Sequence, residues 1–191
     1  MSDSTAPKTA TSVEQVTEFR RVDLMDLYDA TEAAILDGGG FGWVMPPERD
    51  VQERYWKGVL AVPERSLFIG RLDGIVAGSA QLVRPTRNNE AQSFACSLTT
   101  SFVAPWARGH GLARKLTQAV IDQATKEGFR LLNLDVRDTQ HSAIRLYEKM
   151  GFIRWGTHPH YARAMGRDIS GHFYYKTLEQ QGDGENPSGE R

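Results

Sequence analysis

A mixed α/β domain of the α+β kind, with helices set among largely antiparallel strands, is the fold class this sequence predicts. Three observations carry it. Asp73-Gly74 stands between two apolar runs, SLFIGR (66–71) and IVAGSAQLVR (75–84), which is the strongest short hairpin signal a sequence offers. Several other segments repeat apolar residues at helical spacing. One strand–helix–strand unit, SFACSLTTSFV through LLNLDVR, lies in the middle of the chain.

The bulk numbers narrow the class of protein. A chain of 191 residues fits one domain with a substantial core. With 40% hydrophobic and 25% charged residues it reads as soluble and globular. The net charge of −1 implies no basic surface on average, so nucleic acid is a poor partner. Cys96 is the only cysteine, which excludes an internal disulfide and fits a reducing compartment. No run reaches the length of a membrane span, and the first residues lack the apolar core of a secretory signal. The expectation is a cytoplasmic protein with no membrane contact.

Residues 1–14 are small, polar and non-periodic and read as a flexible tail; residues 15–179 read as the folded domain, and 180–191 as a disordered tail. Val16 to Val22 is a short strand candidate. Asp23 then caps a helix in which Leu24, Leu27, Tyr28, Thr31, Ala34 and Ile35 follow the i, i+3, i+4, i+7 rule, and Gly38-Gly39-Gly40 stops it. Phe41 and Trp43 follow in a loop, where large aromatics either meet a ligand or pack onto the core. Pro46-Pro47 precede a second helix over 48–60, and the hairpin comes next. In the strand 93–103, Phe94, Cys96, Leu98 and Phe102 alternate with smaller residues, as on a strand with one buried face. A helix ends at Gly128, LLNLDVR (131–137) has the continuous apolar character of an interior strand, and Ala143, Leu146, Tyr147 and Met150 line a further helix closed by Gly151. Phe152 to Thr157 and Gly171 to Leu178 are the closing strands, with a loop between them.

The stretch most informative about function is FVAPWARGHGLARK (102–115). Two glycines at a strand-to-helix turn let the backbone fold tightly and present N–H groups to a ligand, at the positive end of the helix dipole. Arg108, Arg114 and Lys115 crowd the same turn, where cations oppose that dipole by roughly 0.3–1 kcal/mol each. A sequence shaped by folding alone favours Asp or Glu there, so the arrangement points to a multiply charged anion. A dinucleotide fingerprint is one reading: Gly109-His110-Gly111 lies between strand and helix, with Asp135 ending the next strand. Arg114, standing at the third glycine position, counts against it. A triphosphate loop fails for want of Gly-Lys-Ser/Thr, and a purely structural turn leaves the cations unexplained.

The third reading is an acyl-CoA site. Val103-x-Pro105-x-x-Arg108-Gly109-x-Gly111-Leu112-Ala113 resembles the pyrophosphate loop of the GCN5-related N-acetyltransferases (GNAT), whose pattern Gln/Arg-x-x-Gly-x-Gly/Ala is met by Arg108, Gly111 and Ala113. Ala143-x-x-Leu146-Tyr147-x-x-x-Gly151-Phe152 resembles the family's helix before its sixth strand. The resemblance covers residues 15–178. It implies a mixed sheet of six to seven strands splayed between the fourth and fifth, flanked by about four helices. Within the family, GGGFGW (38–43), AGSAQL (77–82), Leu134-Asp135 and YYKTL (174–178) resemble segments of the tabtoxin-resistance acetyltransferase, which modifies an amine on a small amino-acid toxin.

What the resemblance implies is transfer of an acetyl group from acetyl-CoA, a cosubstrate, to a primary amine of a small, amino-acid-like molecule, without a metal. Backbone groups of Phe102 and Val103 would hold the pantetheine arm. The loop Arg108, Gly109, His110, Gly111, Leu112 and Ala113 would cradle the pyrophosphate, with Arg114 or Lys115 reaching the outer phosphate. Gln140, where the family often has Asn, would be a further cofactor contact. Tyr147 is the candidate acid toward the leaving thiolate and also touches the cofactor; the competing reading is a core tyrosine. Asp135 is the candidate base or ammonium anchor, with an ion pair as the competing reading, and a second carboxylate position of the toxin-modifying enzyme falls at Ser97. Phe41, Trp43, Ser97, Asp135 and Tyr161 would line the acceptor pocket. His158 and His160 lack the spacing of a metal site. A protein or peptide acetyltransferase, and a non-catalytic acyl-CoA-binding regulator, are the alternatives; a homodimer fits the family, although no stretch encodes one.

Overall fold

The computed structural model describes residues 9–39 and 41–179. A single seven-stranded sheet runs through it. In chain order the elements are β1 (Thr11–Val16), α1 (Arg21–Leu36), α2 (Arg49–Ala61), β2 (Arg65–Leu72), β3 (Ile75–Val83), β4 (Ala95–Val103), α3 (Leu112–Lys126), β5 (Leu131–Arg137), α4 (His141–Lys149), β6 (Ile153–Ala164) and β7 (Arg167–Thr177). The strands lie in the order β1-β2-β3-β4-β5-β7-β6, and every neighbouring pair is antiparallel except β4 and β5, joined through the α3 crossover. This is the mixed architecture the sequence predicts, with four α-helices among the described residues.

Both faces of the sheet are covered. Along β2, Phe68 joins a cluster with Leu112, Leu116 and Val120 of α3 and Tyr147 of α4, whereas Leu67 and Ile69 join one with Leu27 and Ala34 of α1 and Trp56 of α2. Successive strand residues point to opposite faces, so α3 and α4 lie on one side and α1 and α2 on the other. Full burial of a leucine such as Leu112 or Leu116 contributes about 1.5–3 kcal/mol.

Four expectations need correction. The first strand is Thr11–Val16, not Val16–Val22: residues 11–14 pair with β2 instead of trailing as a tail, and Val22 lies exposed on α1. Its polar outer face hides it in the sequence, because Glu14 is there to meet Arg71 at 2.7 Å. Asp23 sits inside the first turn of α1 and caps nothing; its buried carboxylate binds Arg71 at 2.8 Å and Arg20 at 2.7 Å, and the Arg71 hydrogen bond outweighs burial to lower its pKa. The segment between the closing strands is not a loop, since β6 and β7 extend through it to a tight turn at Met165-Gly166. Residues 1–8 of the expected 1–14 tail, the expected tail 180–191, and Gly40 in the helix stop lie outside the described residues.

The fourth correction concerns β4. Ser79 pairs with Phe102 but Gln81 with Thr99, so a bulge places Thr100 and Ser101 opposite Ala80, with Thr100 at φ +46°. An extra residue reverses the alternation. Cys96 and Leu98 therefore join the α3/α4 cluster while Phe102, of the same parity, joins the α1/α2 cluster. The strand has two buried faces, exchanged at Thr100.

Candidate active site

β4 and β5 pair only at Ala95–Leu131, Cys96–Leu132 and Ser97–Asn133, and diverge beyond. Past Ser97 the facing edge of β4 has no strand partner, an interior edge with backbone groups free to pair with something else. Two cavities occupy the cleft, of about 540 Å³ and about 410 Å³. Ser101, Gln140, Ala143 and Tyr147 belong to the walls of both, so the two spaces meet there.

The larger cavity is walled by Phe102 and Val103 at the end of β4, by Arg108, Gly109, Gly111, Leu112, Ala113 and Arg114 at the start of α3, and by Thr139 to Ala143 with Leu146 and Tyr147 from the α4 region. Gly109 (φ +84°) and Gly111 (φ +77°) are both left-handed, and Gly111 is the residue from which α3 departs. An L side chain at either would be strained. The turn thus aims the first N–H groups of α3 at a cavity bordered by two guanidinium groups, the chemistry of a diphosphate site. Arg108 is held at 2.6 Å by Asp37, which follows α1 and lines the same cavity. His110 does not line it; its Nδ1 lies 3.3 Å from the Ala107 carbonyl. Lys115 faces away, donating to the Thr11 carbonyl at 2.9 Å, which leaves Arg114 alone of that pair in the cleft.

The smaller cavity is lined by Phe41, Gly42 and Val44, by Leu98 to Ser101, by Leu134 to Arg137, and by Tyr161, Ala162 and Arg163. Tyr161 reaches it by an unusual route. Between His158 and Ala162 of β6 the pairing with β7 slips, and the Tyr161 ring crosses over Gly171 of β7 to donate its hydroxyl to Asp135 on β5. A methyl group on Gly171 would overlap that ring. Burial, and next the Asp135 carboxylate, push the Tyr161 pKa well above the phenol range. Phe41 forms wall and core at once, 4.9 Å from Phe102 between ring centres. Trp43 stands one layer back, stacked on Phe41 at 6.1 Å and edge-on to Tyr55 at 5.0 Å. Ser97 lines neither cavity: it lies where β4 and β5 still pair.

Tyr147 is buried at the seam on α4. Desolvation raises its pKa, a hydrogen bond from Ser101 partly offsets this, and the Asp135 charge adds to the rise. The phenol is therefore a proton-bearing group at neutral pH. Gln140 donates to the Gly38 carbonyl at 2.7 Å, and Arg137 to the carbonyls of Phe41 at 2.5 Å and Gly39 at 3.4 Å. These bonds tie the segment after α1 across the mouth of the splay. A partly buried chain of side chains fixes the opposite wall: Arg65 to Gln81 at 2.7 Å, Gln81 to Tyr55 at 3.3 Å, and Tyr55 to the Thr100 hydroxyl at 3.3 Å. Among the described residues no three His, Cys, Asp or Glu side chains gather as a metal site, and no helix is long and apolar enough to cross a membrane.

Asp37, Thr99, Thr100, Ser101, Arg137 and Arg163 were not legible as site residues. A bulge in β4 puts Thr99, Thr100 and Ser101 there and a slip in β6 puts Arg163 there, whereas Asp37 and Arg137 arrive from the ends of α1 and β5; none of this leaves a periodic trace.

A splayed mixed sheet with a left-handed diglycine turn entering a helix at the splay defines a class, and residues 23–152 match the Acetyltransferase (GNAT) family. The chain belongs to that family and is an acetyl-CoA-dependent N-acetyltransferase by that membership. It is 65% identical over 132 residues to an uncharacterised N-acetyltransferase of the hisH–hisA intergenic region of Azospirillum brasilense, covering 69% of this chain and 79% of that one. An N-acetyltransferase from Staphylococcus aureus Mu50 superposes with TM-score 0.76 at 20% identity, over 89% of this chain and 99% of that one. The Salmonella typhimurium acetyltransferase YncA, solved with its cofactor acetyl-CoA, does so with TM-score 0.73 at 18% identity, over 94% and 99%.

Proposed function

We propose that the protein acetylates the primary amine of a small, amino-acid-like molecule by direct transfer within a ternary complex. The observation that carries this reading is the seam: one cavity with diphosphate chemistry and one with a carboxylate meet at a buried tyrosine. The resemblance to the tabtoxin-resistance acetyltransferase, carried by GGGFGW and Leu134-Asp135, supports the choice of acceptor.

Acetyl-CoA supplies an acyl group already activated as a thioester. The chain supplies position and protons. The α3 N-terminus, Arg108 and Arg114 hold the diphosphate, and the unpaired edge of β4 at Phe102 and Val103 holds the arm and offers an N–H to the carbonyl oxygen. Asp135, oriented by Tyr161, anchors the ammonium and accepts the proton the amine loses. Tyr147 donates its proton to the departing sulfur; burial raises its pKa, so the phenol keeps that proton until thiolate charge develops beside it. Holding the reactants in place lowers the barrier by ~7–11 kcal/mol, against ~3–5 kcal/mol from one proton-transfer group. A second carboxylate, missing at Ser97, is therefore dispensable.

The test is thiol release from acetyl-CoA across a panel of small amines, amino acids and peptides. Turnover with small amines supports the reading. Turnover with peptides alone moves the acceptor to protein, and binding of acetyl-CoA without turnover leaves a regulatory module.

A further inference from the structure

The smaller cavity carries an uneven set of charges. Asp135 is its one carboxylate, while two guanidinium groups, Arg137 and Arg163, belong to its wall. Arg137 is already engaged, with both terminal nitrogens donating to backbone, to the Gly39 and Phe41 carbonyls. Arg163 is different. It lies near the β6–β7 turn at the open side, exposed, with no acidic side chain within 4.0 Å among the described residues. The acid opposite it in register, Asp168, is taken by His160 at 2.7 Å. When Asp135 neutralises a bound ammonium, the remaining wall is positive.

We propose that Arg163 selects acceptors that carry an anionic group, a carboxylate or an acid of similar shape, at a distance from the amine set by the span from Asp135 to the cavity mouth. The guanidinium fork binds two oxygens of such a group side by side, a geometry neither an amide nor an ester can match. A cationic acceptor such as a polyamine or a lysine side chain meets a like charge there. The inference rests on the acetyl-transfer reading above and sharpens it to zwitterionic acceptors.

Matched pairs test it: a free amino acid against its own primary amide, each assayed for thiol release with acetyl-CoA. In the wild-type protein kcat/KM for the acid exceeds that for the amide by about 10- to 100-fold, the range for a hydrogen-bonded charge. Arg163→Met brings this ratio toward one, and Arg163→Lys keeps part of it. Comparing ratios between proteins cancels the difference in amine basicity within each pair. A wild-type ratio at or below one, or a ratio unchanged by Arg163→Met, overturns the proposal and leaves the transfer reading standing. Absence of turnover with every amine tested overturns both.

Discussion

The larger cavity takes half of its wall from one stretch, Ser101 to Arg114, whereas the smaller draws on five segments spread from Phe41 to Arg163. The first is a strand, a turn and the start of a helix, and a short contiguous sequence encodes all three. The second exists only because β4 bulges at Thr100 and β6 slips against β7. Local geometry thus shapes the cavity proposed for acetyl-CoA. Tertiary register shapes the one proposed for the acceptor.

Tyr147 belongs to both regions, so its removal should give the largest effect. Tyr147→Phe is expected to lower kcat by about 10²- to 10⁴-fold while leaving acetyl-CoA affinity nearly intact. Steady-state kinetics beside calorimetry separate the two; an unchanged kcat with a good acceptor makes Tyr147 a core residue. Because desolvation raises the phenol pKa, its acid form persists through neutral pH and is lost only above the ordinary phenol value. No alkaline fall in kcat below about pH 10 should therefore trace to Tyr147. Asp135→Asn comes next: kcat/KM for the acceptor falls by about 10²-fold, and kcat at saturating acceptor falls with it. If neither changes, the carboxylate serves only to hold Tyr161.

How much the sequence disclosed follows the same division. Gly109, Gly111 and the cations beside them announce an anion site because their spacing is fixed by one turn. Even there Lys115 misleads, since helix rotation sends it to Thr11. His110 misleads likewise, turned back on Ala107. The hairpin at Asp73-Gly74 and the amphipathic helices are legible for the same local reason. The β6–β7 hairpin is legible only at its ends, because between them Pro159, Gly166, His158 and His160 read as loop chemistry. Arg163 and the path of Tyr161 to Asp135 depend on that hairpin, so they were out of reach. Phe41 was visible only as an aromatic needing a partner. It has two, the core and the cavity.

Gly171→Ala strikes the acceptor side alone. The added methyl displaces the Tyr161 ring, and overpacking of this kind costs about 1–3 kcal/mol. A roughly tenfold rise in acceptor KM is expected, the scale of one hydrogen bond to a charged group, with acetyl-CoA affinity unaltered. Kinetics at saturating acetyl-CoA checks this. Equal losses on both sides would mean that the two cavities are one mechanical unit, and the division drawn above would fail.

The smallest expected effect lies in the larger cavity and has the opposite sign. Asp37 holds Arg108 at 2.6 Å, and both side chains are about half exposed, 45% and 48%. Such a pair is worth about 0.2–1 kcal/mol in water. A diphosphate arriving at Gly109 and Gly111 competes with Asp37 for that guanidinium and is repelled by its carboxylate. Asp37→Ala should therefore tighten acetyl-CoA binding by about 1.5- to 5-fold, while Arg108→Ala weakens it. Calorimetry at two salt concentrations decides the point, because the gain should shrink as ionic strength rises. Weaker binding in Asp37→Ala would mean that the carboxylate positions Arg108 for the phosphates instead of competing with them, so that even the locally encoded cavity depends on a residue from a distant part of the chain.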